Sequence, residues 1–172
     1  MVEVKLGHSK YAALVDDPDW ELVRGWCWNA QVQRYKGKVV RVSAQRSCIR
    51  KGKQSVMLMH RWILGIDGVK GVQVDHINGN GLDNRRSNLR IASQSENLRN
   101  RKMASHNRSG FKGVYFAKQA WAVSKPWRAQ IKVNGRKLSL GYFLTPEEAY
   151  EAYKEAAIQH HGQFANFGER PS

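Results

Sequence analysis

The chain has 172 residues and a formal net charge of +15, from 29 Lys and Arg against 14 Asp and Glu. This length suits one ordinary domain or two small ones, and 41% hydrophobic residues with six Trp exclude a wholly disordered chain. There is no run of about 18 apolar residues for a membrane span, no signal-peptide core, and too few Cys for a zinc or disulfide framework. The charge predicts a polyanionic partner, nucleic acid first and an anionic membrane surface second.

The placement of the charge is more informative than its total. From Asn97 to Pro146 the sequence has eleven Lys or Arg and no Asp or Glu. A solvated surface normally mixes both signs, so a window of fifty residues without a carboxylate indicates a surface that must not repel phosphate.

The first 55 residues predict short strands and turns. Strands are expected at Val2–Val4 and Lys38–Val42, with a helix start at Asp16–Asp19. The apolar run from Val56 to Leu64 is interrupted by His60 and Arg61. It is compatible with a buried strand, with a short helix, or with a strand that turns into a helix.

The middle of the chain predicts a ββα unit. A short strand ends at Asp75 and His76, a Gly- and Asn-rich loop follows, and Leu89–Ala92 forms a second strand. Ser93 and Glu96 fit a capping box that starts a helix of about ten residues. Residues 103–108 are small, polar and without periodicity, which predicts a linker.

The last third predicts a three-stranded antiparallel sheet packed on one helix. Strands are expected at Gly113–Phe116, Trp127–Val133 and Lys137–Phe143, and Asn134-Gly135 is a strong hairpin signal between the last two. Thr145 and Pro146 begin an Ala-rich helix that stops near Gly162. The expected fold class is therefore α+β: a small β-rich region with a ββα core, then this sheet and helix.

Four polar residues of the middle segment can support phosphodiester hydrolysis. His76, at a strand end, can deprotonate water, and Asp75 with Asn97 can hold one hard cation through oxygen atoms. Asn88, at the start of the second strand, can bond across the hairpin and fix the imidazole. Oxygen ligands favour Mg²⁺, or Mn²⁺, over Zn²⁺.

The residues Val74–Asn80, Asp83–Arg90 and Glu96-Asn97 closely resemble the HNH (ββα-metal) nucleases, in particular the phage homing-endonuclease branch. The resemblance covers residues 1–102, with the core at about 56–102. It implies that His76 is the general base, Asn88 orients it, and Asp75 and Asn97 bind the metal. His60 matches a recurring His-Arg element, with a supporting or phosphate-contacting role. Expected DNA contacts in this domain are Arg61, Arg85, Arg86, Arg99, Asn100, Arg101 and Lys102.

Strand alternation assigns a DNA-facing side to the C-terminal sheet. Expected contacts there are Lys112, Tyr115, Arg128, Gln130, Lys132, Arg136 and Lys137, because Arg and Gln suit base edges and Lys suits phosphate. Ser109–Val114, Trp127–Ile131, Leu140–Phe143 and Ala165–Phe167 resemble the ethylene-response-factor (APETALA-family) DNA-binding domain, which implies such a domain at 109–172. The segment from Ala117 to Lys125 is longer than that family's first hairpin loop, and Tyr115 stands where Arg is common.

Together these features predict a metal-dependent endonuclease for double-stranded DNA. One centre per chain favours a nick with 5′-phosphate and 3′-hydroxyl ends, made by a monomer on DNA, although a dimer stays open. The resemblance implies action in the cytoplasm of a phage-infected bacterium and no membrane partner. The alternatives are a DNA-binding regulator with a decayed nuclease core and an RNA-binding protein.

Overall fold

The structure, a computed structural model, describes residues 1–99, 107–117 and 124–168. The chain divides into two compact units, Met1–Gln94 and Ser95–Ser172. Both combine helices with small antiparallel sheets, which confirms the α+β class. Most of the predicted linker at 103–108 lies outside the described residues, so the domain boundary stays a prediction.

The first unit contains seven strands and three helices within its described residues, counting α3, which begins at its last residue. The strands are β1 Val2–Lys5, β2 Ala12–Val15, β3 Asn29–Tyr35, β4 Lys38–Arg50, β5 Lys53–Leu58, β6 Gln73–His76 and β7 Leu89–Ala92. The helices are α1 Asp17–Val23, α2 Met59–Ile63 and α3 Gln94–Arg99. The apolar run at 56–64 is thus a strand that turns into a helix, since β5 ends at Leu58 and α2 begins at Met59.

Three sheets surround one core in this unit. β1 pairs with β2, β3–β4–β5 form a three-stranded sheet, and β6 pairs with β7. The core contains Leu6, Val15, Trp28 and Met59, all nearly inaccessible to solvent. The indole Nε1–H of Trp28 donates to the Val23 carbonyl at 3.0 Å. The large apolar ring is therefore buried without leaving its polar atom unpaired.

The predicted ββα order is present as β6, β7 and α3. A twelve-residue loop, 77–88, joins the two strands, and α3 begins directly after Ser93, as the capping pattern predicts. The loop is attached to β2 on both sides of Asp83: Leu14 N donates to Leu82 O and Asn84 N donates to Leu14 O, each at 2.8 Å. A Gly- and Asn-rich loop therefore has a fixed path in the fold.

The second unit contains the predicted sheet and helix. β8 (Val114–Phe116), β9 (Trp127–Val133) and β10 (Arg136–Phe143) form an antiparallel sheet of order β10–β9–β8, and α4 spans Pro146–His161. Asn134 and Gly135 both have positive φ, 48° and 82°, which is the conformation that an Asn-Gly hairpin turn requires. Six residues of the long loop after β8, 118–123, lie outside the described residues.

Helix α4 packs on the sheet through its small side chains. Thr145 Oγ1 accepts from Glu148 N at 3.2 Å, which confirms the predicted N-cap. Ala149, Ala156 and Ala157 are buried against the sheet. At Gly113 the approach is so close that a Cβ would lie 2.1 Å from the Tyr153 ring, so only Gly fits there. No helix in the described ranges has the length and apolar character to span a membrane.

Candidate active site

Strand β6 carries two buried polar residues at its end. Asp75 is 5% and His76 is 3% exposed, and they lie opposite Arg90 and Leu89 of β7. Asp75 Oδ2 accepts from Arg90 Nε at 2.8 Å and from Arg90 Nη2 at 2.6 Å. A buried carboxylate needs such a cation, and this pair fixes the position of Asp75 beside the imidazole.

The imidazole of His76 is positioned by Asn84. His76 Nε2 lies 3.2 Å from Oδ1 of Asn84, whose side chain is fully buried. The other end of that amide is fixed, because Nδ2 donates to the Leu82 carbonyl at 3.3 Å and to the sulfur of Met59 at 3.5 Å. With Oδ1 as the acceptor, the proton of neutral His76 is assigned to Nε2, and Nδ1 becomes the basic nitrogen.

Asn88 makes different hydrogen bonds from the one predicted. Its Oδ1 accepts from Asn78 N at 3.0 Å and its Nδ2 donates to the Asp83 carbonyl at 2.8 Å. Both bonds are with the backbone of the loop, so Asn88 shapes the loop, and the expected bond across the hairpin to the imidazole is made by Asn84. The reason is the length of the loop, which brings Asn84 back over the end of β6.

His60 packs against the predicted base. The rings of His60 and His76 have centroids 5.0 Å apart and meet edge to face at 89°. His60 is 5% exposed, and burial, assisted by the charges of His76, Arg41 and Arg61, lowers its pKa to about 3. Its Nδ1 has no hydrogen-bond partner within the described ranges. A buried, neutral ring favours the supporting role over phosphate contact.

Burial also lowers the pKa of His76, and the hydrogen bond with Asn84 opposes this effect. The imidazole is therefore neutral, and able to accept a proton, at a pH near 7.

Arg61 forms hydrogen bonds within the first unit. Its guanidinium donates to three backbone carbonyls, those of Val72 at 2.6 Å, Ile66 at 2.9 Å and Val69 at 2.5 Å. These bonds tie the chain after α2 to the start of β6. The predicted DNA contact of Arg61 stays a prediction, and this geometry does not favour it.

Arg85 and Arg86 are paired with carboxylates. Arg85 Nη2 lies 2.6 Å from Asp83 Oδ2, and this bond holds the pKa of Asp83 below its usual value. Arg86 donates to both oxygens of Asp19 and to the Ile63 carbonyl, which joins the loop to α1 and α2. Both arginines remain partly exposed, at 38% and 52%. Their charges are largely compensated, and their predicted DNA contacts are untested.

The two predicted metal ligands lie in different elements. Asp75 is in β6 of the first unit, and Asn97 is in α3 and belongs to the second unit. In the described ranges no three His, Cys, Asp or Glu residues form a cluster that could hold a metal. The proposed donors, one carboxylate and one amide oxygen, are of the type that Mg²⁺ or Mn²⁺ accepts while retaining water and phosphate oxygens. The side chain of Arg99 and all of Asn100, Arg101 and Lys102 lie outside the described residues.

The second predicted surface is the sheet face opposite α4, here called the open face. Cross-strand partners share a face, so Arg128 lies in one row with Tyr115 and Tyr142, and Lys132 lies beside Lys137. Gln130 lies between these rows, opposite Ser139. The open face contains no carboxylate. Arg136 is exposed but lies opposite Val133, on the helix side of the sheet.

Lys112 precedes β8 and is hydrogen-bonded within its own unit. Its Nζ donates to Asn166 Oδ1 at 2.6 Å, and burial lowers its pKa to about 8. It lines a cavity of about 320 Å³ together with Tyr153 and His161 and with Tyr115, Gln130 and Lys132 of the open face. The position of Lys112 thus connects the start of β8 to the segment after α4.

Two arrangements were not predicted from the sequence. One is the hydrogen bond between Asn84 and His76, and the other is the influence of Arg41 in β4, whose charge helps to lower the pKa of both His60 and His76. Neither arrangement is indicated by a pattern in the neighbouring sequence. Asn84 is one of several Asn in its loop, and Arg41 precedes Asp75 by 34 residues.

The segment that carries these residues is similar in sequence to known proteins. The family model described as "HNH endonuclease" matches residues 65–99, which include β6, the loop, β7 and α3. "Protein 3.8" of Escherichia phage T7 is 34% identical over 98 residues, covering 57% of this chain and 77% of that protein. "Uncharacterized HNH endonuclease L560" of Acanthamoeba polyphaga mimivirus is 32% identical over 113 residues, 63% of this chain and 56% of that protein. No solved structure matches significantly. The chain therefore contains an HNH endonuclease domain, matched at residues 65–99, and is similar to phage and mimivirus proteins.

Proposed function

We propose that this protein is a metal-dependent endonuclease that hydrolyses phosphodiester bonds of double-stranded DNA, with His76 as general base. The observation that carries the proposal is the buried imidazole at the end of β6, held through Nε2 by Asn84 and next to buried Asp75. The phage and mimivirus relatives support action on DNA within an infected cell.

The chemistry of His76 follows from its tautomer. Nδ1 takes a proton from water, the water oxygen forms a bond to phosphorus, and the bond from phosphorus to the 3′-oxygen breaks in line with it. The products carry a 5′-phosphate and a 3′-hydroxyl, whose proton comes from solvent. One base per chain supports one strand cut per binding event, so we propose a nick by a monomer, while a double-strand break needs a second chain or a second event.

One divalent cation, Mg²⁺ with Mn²⁺ as substitute, would be held by Asp75 and Asn97. When bound it supplies positive charge to the phosphate in the transition state. Arg90 holds the carboxylate of Asp75 in a fixed position through two hydrogen bonds. Asn88 contributes by maintaining the loop that carries Asn84.

The second unit is proposed as an ethylene-response-factor-type DNA-binding domain. Its support is the open face, where Arg128, Gln130, Lys132 and Lys137 stand without a carboxylate. Arg and Gln suit base edges, and Lys suits phosphate oxygens. This unit would hold the duplex while the first unit cuts it.

A supercoiled-plasmid assay tests the function. We expect open-circular product with Mg²⁺ or Mn²⁺, none with EDTA, and end mapping that gives 5′-phosphate and 3′-hydroxyl ends. DNA binding without any nicking under these conditions would favour the regulator with a decayed core. Stronger binding to structured RNA than to duplex DNA at equal ionic strength would favour the RNA-binding alternative.

A further inference from the structure

Arg41 is an exposed cation without a partner in the described ranges. It lies in β4 opposite Gln33 of β3, and its guanidinium makes no hydrogen bond or ion pair with another described residue. The sequence explains this, since no Asp or Glu occurs from Leu22 to Ile66 while ten Lys or Arg do. A charge maintained on a sheet that offers no carboxylate is suited to an external anion.

Strand β4 contacts the loop 77–88 that joins β6 to β7. A Cβ at Gly81 would lie 2.4 Å from the Val42 carbonyl, so the loop rests on the backbone next to Arg41. Ser43, two residues further along the chain, is only 7% exposed. The backbone next to Arg41 thus contacts the loop that carries Asn84, and Asn84 bonds to His76.

Electrostatics agrees with this placement. The charge of Arg41 helps to lower the pKa of buried His60, whose ring packs edge to face on that of His76. The other arginines around the site, Arg61, Arg85, Arg86 and Arg90, are bonded to carbonyls or carboxylates of the chain. Arg41 differs from these four arginines because its guanidinium N–H groups donate no hydrogen bond to another described residue.

We propose that Arg41 is a catalytic residue that donates hydrogen bonds to a non-bridging oxygen of the scissile phosphate and stabilises the charge that builds there in the transition state. Arg41 acts only through hydrogen bonds and charge, and all bond making and breaking is as written for His76. The planar guanidinium presents paired donors that match two phosphate oxygens. This inference rests on the proposed nuclease function.

The test is the steady-state cleavage of plasmid DNA with Mg²⁺ by wild type, Arg41→Ala, Arg41→Lys and Arg41→Gln. Loss of a donor to a transition-state oxyanion lowers kcat by about 10²-fold, so we expect that effect in R41A, with KM changed by less than about 3-fold. R41K should recover about 10-fold of the loss, because it restores the charge but not the fork. Lys38→Ala, an exposed cation three residues earlier in β4, is the matched control and should keep the wild-type kcat.

The outcomes separate the inference from the function. No cleavage by wild type would remove the proposed function itself. Cleavage by wild type with kcat of R41A within about 2-fold of it would overturn the role of Arg41 and leave the function standing. If R41A does not fold, R41Q decides: a folded, DNA-binding R41Q with low kcat supports the inference, and one with wild-type kcat overturns it.

Discussion

At the scale of single residues, the hydrogen bond between His76 and Asn84 determines which nitrogen can act as base. Asn84→Asp keeps an acceptor on Nε2 but adds a negative charge, which raises the pKa of the imidazole. The acid limb of the profile of kcat against pH should therefore move to higher pH by about one unit, measured over roughly pH 5 to 9. Asn88→Asp, whose parent residue bonds only to loop backbone, should shift this limb less and lower the thermal midpoint. An unmoved limb in N84D would contradict the assignment.

His60 predicts a pH dependence of stability. Its pKa is about 3 in the folded chain and near 6.5 when unfolded, so only the unfolded state takes up a proton between these values. The free energy of unfolding should fall as pH drops from 6.5 towards 3, by at most about 1.4 kcal/mol per pH unit from this group. Denaturant titration of wild type and His60→Gln at several pH values checks it, since the Gln side chain does not titrate. Equal slopes for the two proteins would exclude this contribution.

The sequence predicted the residues whose relation is local and missed those whose relation depends on the path of the chain. Asp75 and His76 are adjacent and end one strand, so their joint burial could be expected. Asn84 reaches His76 only because β2 holds the backbone of the loop on both sides of Asp83. Arg41 is next to this loop in the fold because its neighbour Val42 lies against Gly81, a contact between distant parts of the chain.

At the scale of elements, turn and cap chemistry gave the best predictions. Asn134-Gly135 and Thr145-Pro146 specify local backbone geometry by themselves, and both are where they were expected. Strict alternation failed in β10, where the register shifts between Ser139 and Gly141. This irregularity places Tyr142 opposite Arg128 on the open face, although alternation groups Tyr142 with Leu138 and Leu140.

The open face is the element that we expect to hold DNA. Arg128→Ala should weaken duplex binding by about 10- to 100-fold, and the slope of log K against log salt should fall by about one if Arg128 contacts phosphate. Fluorescence anisotropy at several salt concentrations measures both. Lys154→Ala is the control, because Lys154 lies on α4 and is paired with Glu151 at 2.7 Å. Equal affinities of R128A and wild type would remove DNA binding from this face.

At the scale of the whole molecule, the charge of +15 is arranged in two acid-free stretches, one within each unit. The stretch before Asp67 contains Arg41, and the stretch from Asn97 to Pro146 supplies the open face. Composition alone predicted a polyanionic partner, whereas the structure divides the positive charge into arginines that are used within the fold and cations that remain on the surface.

The most direct test of the central claim compares wild type and His76→Ala for both plasmid nicking and duplex binding. Without its general base the variant should nick with Mg²⁺ at least about 10²-fold more slowly, while its gel-shift affinity stays within about 2-fold of wild type. Nicking by His76→Ala at the wild-type rate, with the same metal and the same end chemistry, would show that this imidazole is not the base.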